Sequence, residues 1–186
     1  GQGMLFTCAT ARSISSAGRI IKGIRLPLPI IVRNGTILAD GGSGEEIEII
    51  LFTQEEAASV RECTKGMTVP GFVTSYTDGK QAKLYIDGIS NTGFDHYLAD
   101  HKNDRRLRSV SAEDKLYESS VCYFTFIGER SQLEPLYERV KECRQCDYVF
   151  QKDTYREEYW LEIFPRNATK AKAIERLKQK YHCDRL

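Results

Sequence analysis

Met4-Leu5-Phe6-Thr7-Cys8-Ala9-Thr10-Ala11-Arg12 is the stretch on which the fold turns. A short apolar run ends in a small hydroxyl residue and an arginine, and Ser13-Ile14-Ser15-Ser16-Ala17 then begins a helix. That order reads as a buried parallel strand delivering a side chain at its carboxyl end, where open α/β sheets bind ligands. Thr10 there presents a hydroxyl and backbone N–H groups toward a helix amino end, a good place for an anion. The same pattern also serves as plain structure, so its meaning depends on what the remaining chain supplies.

Working outward, Ile14, Ala17, Ile20, Ile21 and Ile24 recur at helical spacing and predict a helix over Ser13 to Arg25, closed by Pro27 and Pro29. Pro29 to Val32 reads as a second buried strand, ending at the turn Arg33-Asn34-Gly35. Thr36 to Ala39 and Ile47 to Leu51 form a hairpin around Gly41-Gly42-Ser43-Gly44, a flexible tip in preference to a phosphate cradle. This β-α-β opening implies a parallel sheet with a right-handed crossover.

From Thr53 the order changes. Thr53-Gln54-Glu55-Glu56 has capping-box spacing and leads into a helix through Ala57 to Cys63. Gly71 to Tyr76 and Lys80 to Ile86 form a hairpin through Asp78-Gly79. Asn91 to Glu118 is polar and reads as short helices and loops, with Asp104-Arg105-Arg106-Leu107-Arg108 a solvated run. Tyr117 to Ile127 reads as a strand, Ser131 to Cys143 as an amphipathic helix, and Asp147 to Gln151 and Tyr159 to Phe164 as strands. The aromatic residues of this region, Tyr155 among them, are read mostly as strand-facing core. The strand-rich order marks a separate module inserted in the first domain. A helix from Thr169 to Tyr181 closes the chain, with Ile174 and Leu177 inward and Lys170 in its first turn. A cation at that end opposes the helix dipole unless an anion lies beside it.

Composition bounds the rest. The 186 residues allow one or two domains with a real core. The 27 basic and 26 acidic side chains leave a net charge of +1, which is no footprint for nucleic acid. No apolar run approaches the roughly 20 residues that span a bilayer. No charged-then-apolar leader opens the chain. Gly1-Gln2-Gly3 reads as a cloning remnant or a cut within a longer chain. The expected home is the cytoplasm, with no membrane and no nucleic-acid partner. Six cysteines include one C-x-x-C, Cys143 and Cys146, but no second ligand pair is spaced for zinc, so these thiols read as structural. His96, His101 and His182 form no metal-binding pair, and no P-loop is present.

Three segments together resemble one family. Phe6 to Ser13 resembles its second motif, apolar residues followed by Ala-Thr-Gly-Arg. Pro29 to Ile37 resembles its following strand and Asn-Gly-Ala turn. Leu161 to Ile174 resembles its Glu-Ile-x-Pro, then Ser/Thr-Lys-Gly-x-Ala-Leu. The family is the haloacid dehalogenase superfamily, specifically the Cof-type phosphatases. The resemblance implies a partial Rossmann-like α/β core (1–52 and 161–186) carrying an inserted α+β cap (53–160). It further implies that Thr10 hydrogen-bonds the transferring phosphoryl group and Lys170 neutralises it, with Arg12, Asn34 and Gly35 lining the substrate site. Donors and cations aimed at equatorial oxygens are what phosphoryl transfer requires.

The chain departs from the family at both ends. It contains no Asp-x-Asp, the family's nucleophile and general acid, and it stops at Cys183-Asp184-Arg185-Leu186, where the Gly-Asp-x-x-x-Asp metal motif is due. The expectation is Mg²⁺-dependent hydrolysis of a small phosphorylated metabolite, a sugar phosphate or nucleotide-like ester, through an aspartyl-phosphate in a full-length parent. The Mg²⁺ ligands are expected outside this chain, which alone is inactive. The alternative is a non-catalytic binding or regulatory module on the same fold.

Overall fold

The structure, a computed structural model, describes residues 5–66 and 68–182. The readings placed on Met4, Cys183 and Asp184 lie outside the described residues. The chain divides into two compact units, Gly1–Ile50 with Arg166–Leu186, and Leu51–Pro165. This division carries the second unit to Pro165, whereas the expected core segment starts at Leu161. The physical reason is a strand running through 161–165, described below.

The first unit is a small α/β sandwich. Ser13 caps helix α1 (Ile14–Ile20), its side chain accepting from the Ser16 N–H. The helix stops short of Arg25 because Gly23 turns the chain with φ +86°, leaving Ile20 and Ile24 exposed. Strands β1 (Ile30–Val32), β2 (Ile37–Ala39) and β3 (Glu46–Ile49) form an antiparallel sheet in that order. The opening stretch joins it by a single parallel bridge, Ala9 to Ile31. Ile31 N–H donates to the Cys8 carbonyl at 2.9 Å, and Thr10 N–H to the Ile31 carbonyl at 2.8 Å. The expected parallel pairing is confined to Cys8 to Thr10, and the stretch is not the buried strand its apolar run suggested: Leu5 and Phe6 are 47% and 61% exposed, because β1 is the one neighbour it pairs with among the described residues. The remaining described pairings of this sheet are antiparallel.

Alternation along β1 and β2 decides which helix each face receives. Ile30, Val32, Ile37 and Ala39 pack with Ala17 of α1, whereas Ile31 and Leu38 pack with Ala173 and Leu177 of the last helix, α5 (Lys170–Lys180). Ile174 is only partly buried there, and Tyr181 is exposed. At the hairpin tip, Asp40 Oδ1 accepts from the Gly42 and Ser43 N–H groups at 2.9 and 2.7 Å and from the Ser43 hydroxyl at 3.0 Å. The carboxylate fills its own backbone nest, and these hydrogen bonds hold its pKa below the usual range. The tip therefore has no open cradle for a phosphate.

The second unit is a six-stranded sheet with helices on both faces. Thr53 and Glu56 form the capping box of helix α2 (Gln54–Thr64). Strands β4 (Gly71–Thr77) and β5 (Lys80–Ile86) make the hairpin through Asp78-Gly79, and helix α3 (Thr92–Asp100) follows. Next come β6 (Leu107–Val110), β7 (Ser120–Gly128), helix α4 (Arg130–Lys141), β8 (Cys146–Lys152) and β9 (Tyr159–Pro165). The strand order is β6-β5-β4-β7-β9-β8, and β9 is laddered to β7 and β8 through to Pro165, opposite Cys146. Val73, Phe124, Phe126, Leu161 and Ile163 on one face pack with Val60 of α2 and Leu133, Leu136 and Val140 of α4. Phe72 and Ile127, on the opposite face, pack with Phe94 of α3. Tyr155, expected in the core, is 78% exposed. It sits in the β8–β9 turn, whose Tyr155 and Arg156 N–H groups bond Asp153.

Part of the run read as a solvated loop is strand β6, paired in parallel with β5. Its entrance is pinned by Asp104, which receives Arg106 Nε on Oδ1 at 2.8 Å and Arg106 Nη2 on Oδ2 at 2.7 Å. Those bonds hold the Asp104 pKa at about 2. A carboxyl whose pKa falls on folding stabilises the native state above its unfolded pKa of about 3.9, and that contribution is lost as pH drops through the folded value. Asp104→Asn is therefore expected to be less stable than wild type at neutral pH. It is also expected to lose less stability between about pH 4 and pH 2. Denaturant titrations at several pH values, read by the fluorescence of the single tryptophan, Trp160, check this; parallel curves for the two proteins count against it.

Candidate functional site

The expected site residues fall in the first unit, around the turn that joins β1 to β2. Arg33, Asn34 and Gly35 form one 3-10 turn with three consecutive positive φ angles, 50°, 55° and 108°. Asparagine accepts the left-handed region more readily than most residues; for arginine it costs on the order of 1 kcal/mol or more. Surrounding bonds hold the turn in place. Arg33 N–H donates to the Arg12 carbonyl at 3.0 Å, Asn34 N–H to the Thr10 carbonyl at 3.1 Å, and Thr36 N–H to the Arg33 carbonyl at 3.0 Å. The turn is also buried, with Asn34 only 3% exposed.

Thr10 is bonded to this turn on one side. Its hydroxyl oxygen accepts from the Arg12 N–H at 3.1 Å. That bond occupies a lone pair and leaves the hydroxyl proton available to donate. On the other side the turn meets the start of α5. A Cβ built on Gly35 lies 2.5 Å from the Ala168 carbonyl oxygen and closer still to that of Thr169, so the two backbones touch. Thr169 is the N-cap of α5, accepting from the Lys172 N–H at 3.2 Å, and Lys170 is the first helical residue. Thr10, Asn34, Gly35 and the Thr169–Lys170 step thus gather at one turn, although they lie about 160 positions apart at the extremes of the chain.

Arg12 is placed differently. It is exposed, and its Nη1 donates to the Ser16 hydroxyl at 3.3 Å in the first turn of α1. Sequence reasoning missed Arg176, which locks the turn to α5. Its Nη2 donates to the Gly35 carbonyl at 3.0 Å, its Nη1 to the Asn167 carbonyl at 2.9 Å, and its Nε lies 2.8 Å from Glu48 Oε1. The only available signal was an arginine one turn before the end of an amphipathic helix, which is ordinary. It also missed Arg33, buried beside Asn34.

The described residues do not fit a magnesium site. Among them no three His, Cys, Asp or Glu side chains are grouped to hold a metal ion. Glu48, the carboxylate drawn into this cluster, is already paired with Arg176. What the arrangement offers is a hydroxyl donor, polar backbone and a helix amino terminus gathered in one place, chemistry suited to gripping an anion. Among the described residues no helix is long and apolar enough to cross a membrane.

A haloacid dehalogenase-like hydrolase family model matches residues 1–185. A haloacid dehalogenase-like hydrolase from B. subtilis is similar over 97% of this chain and 68% of its own, at 15% identity and a TM-score of 0.67. TM0651 from Thermotoga maritima is similar over 96% of this chain and 63% of its own, at 22% identity and 0.66. BT1666 from Bacteroides thetaiotaomicron, described among phosphatases of the haloalkanoate superfamily, is similar over 97% of this chain and 60% of its own, at 13% and 0.64. The chain therefore spans about two thirds of the length of these solved structures. The comparison with curated proteins found no match. A family match over nearly every residue, on an α/β fold that these structures share, means that the chain belongs to the haloacid dehalogenase-like hydrolases.

Proposed function

We propose that this chain is the phosphate-gripping and cap-bearing part of a Cof-type phosphatase that works in the cytoplasm on a small phosphate ester, a sugar phosphate or nucleotide-like compound. One observation carries the reading: the 33–35 turn bonds Thr10 and abuts the cap of the Lys170 helix. In this reading the Thr10 hydroxyl donates to a phosphoryl oxygen, and the Lys170 ammonium neutralises charge on the same group. Arg12, Asn34 and Gly35 line the approach. The second unit is read as the cap, the part that sets which ester is accepted. The aspartyl nucleophile and the Mg²⁺ ligands belong to polypeptide outside this chain, so no bond-breaking step is assigned to its residues.

The purified chain is expected to bind inorganic phosphate, with affinity reduced about tenfold in Thr10→Val and in Lys170→Met, the effect of losing one charge-assisted hydrogen bond. Hydrolysis of p-nitrophenyl phosphate is expected to stay at buffer background. Phosphate binding indifferent to both substitutions sinks the site. Turnover that Thr10→Val abolishes sinks the claim that chemistry needs residues from elsewhere. The absence of Asp-x-Asp from these 186 residues favours a second reading, a non-catalytic binding module on the same fold. Reading frames on either side of this sequence decide between the two: an Asp-x-Asp upstream and paired aspartates downstream support the enzyme.

A further inference from the structure

The second unit carries a group of three thiols that phosphate chemistry leaves unused. Cys63 lies in the last turn of α2, Cys143 follows α4, and Cys146 opens β8. All three pack on the same hydrophobic cluster, Cys146 buried within it and Cys63 and Cys143 half-exposed at its edge. Cys143 is an electrostatic neighbour of both other thiols, Cys63 and Cys146. The ends of α2 and α4 are fixed together independently of the thiols. Arg139 of α4 donates from Nη2 to the Glu62 carbonyl at 2.8 Å and from Nη1 to the Lys65 carbonyl at 3.2 Å, bracketing Cys63. Among the described residues this group is not arranged as a metal site.

From this juxtaposition we infer that Cys63 and Cys143 are a disulfide-forming pair, a reversible covalent clasp between α2 and α4 made by exchange with a low-molecular-weight disulfide such as oxidised glutathione. Cys143 is the shared partner. Cys63 is preferred to Cys146 as the second sulfur because an exchange partner can reach it, whereas Cys146 is 4% exposed and enclosed by the core. In the first step one thiol yields its proton to solvent, and its thiolate attacks the glutathione S–S bond. A protein–glutathione disulfide forms and a glutathione thiolate leaves. In the second step the neighbouring thiolate attacks the protein sulfur of that mixed disulfide. The Cys63–Cys143 bond forms and a second glutathione thiolate leaves. Two electrons pass from the protein thiols to the oxidant, and the two protons end on the two released glutathiones. Burial pushes the Cys63 thiol up to about 11, with the adjacent Cys143 adding to it and Arg139 opposing it. The exchange is accordingly slow at neutral pH, and the pair rests in the reduced state until a disulfide oxidant accumulates.

The experiment uses the whole chain, exposed to oxidised glutathione and read by intact mass and by non-reduced peptide mapping. The expected result is a loss of about 2 Da, a linked peptide pair containing Cys63 and Cys143, and reversal by dithiothreitol. The bond closes a long loop between helices already in contact, so the oxidised chain is expected to melt several degrees higher. Cys143→Ser and Cys63→Ser abolish the linked pair, while Cys8→Ser retains it. A bond mapped to Cys143–Cys146 overturns the assignment. So does a chain that gains only glutathione adducts, or does not react while its circular dichroism remains native. None of these outcomes bears on phosphate binding.

Discussion

Gly35→Ala is expected to lower the melting temperature of the first unit by about 10 °C and to abolish phosphate binding. Two effects add. The native φ of 108° is open to glycine alone, so any side chain there is strained by roughly 1–3 kcal/mol. The new methyl must also occupy space already held by the Ala168 and Thr169 carbonyl oxygens. Those are backbone atoms at the start of α5 and cannot swing aside as the tip of a side chain would. Overpacking of this kind costs a further 1–3 kcal/mol or so. Relief requires the turn to part from α5, which breaks the Arg176 bond to the Gly35 carbonyl. Gly79 supplies the control. It too has a positive φ, 72°, but nothing lies within 4 Å of a Cβ placed on it. Gly79→Ala therefore carries strain without collision, and its cost is expected near 1 kcal/mol. Hydrogen exchange of the α5 amides and thermal melts read both variants. Equal, small losses at the two positions would show that the contact with α5 does not hold the turn.

The ease with which these features were read differs by physical cause. Local chemistry reads directly. Asn34-Gly35 and Asp78-Gly79 announce turns because few other residues accept their backbone angles, and Thr53 with Glu56 announces a helix start because each satisfies the other's N–H. The inward positions of β1 and β2 read from apolar runs. What depended on a partner distant in sequence did not read. Leu107-Arg108-Ser109-Val110 is short and polar, and it is a strand only because β5 offers it an edge. Lys83 sits at an alternating strand position that suggests solvent, yet it is 1% exposed, its ammonium lying 4.7 Å from the Phe72 ring centroid and 4.3 Å from that of Tyr97, whose hydroxyl it bonds. The division into units differs from the motif boundary for a related reason. Leu161 to Pro165 shares a motif with the helix after it, but its hydrogen bonds go to β7 and β8. At the candidate site, the turn and the starts of both helices were legible. The arginine joining them was not, because Arg176 acts through carbonyl groups that no side-chain pattern reveals.

Phe124→Ala is the second large effect. Phe124 lies mid-strand in β7, opposite Val73 of β4 and Ile163 of β9, and is fully buried. Its ring meets Phe52 edge-on with centroids 5.6 Å apart and Tyr117 at 6.2 Å, so it bridges the segment that enters the second unit and the turn that precedes β7. Truncation removes apolar burial and leaves a cavity walled by strands on both sides. Those strands cannot close in without breaking their ladders, which keeps the cost toward the upper part of the usual range of about 3–5 kcal/mol. Trp160 reports on it without added label, since β9 pairs with β7 and Trp160 stands opposite Ile127. The expected outcome is a urea midpoint for Trp160 fluorescence shifted down by about 2 M, given a slope of about 2 kcal/mol per molar. Tyr155→Ala, on an exposed turn of the same unit, is expected to change stability by less than about 0.5 kcal/mol. A Phe124 variant that unfolds with the wild-type midpoint would mean that β7 is not the centre of this core, and that the second unit's stability rests on the face that α3 covers.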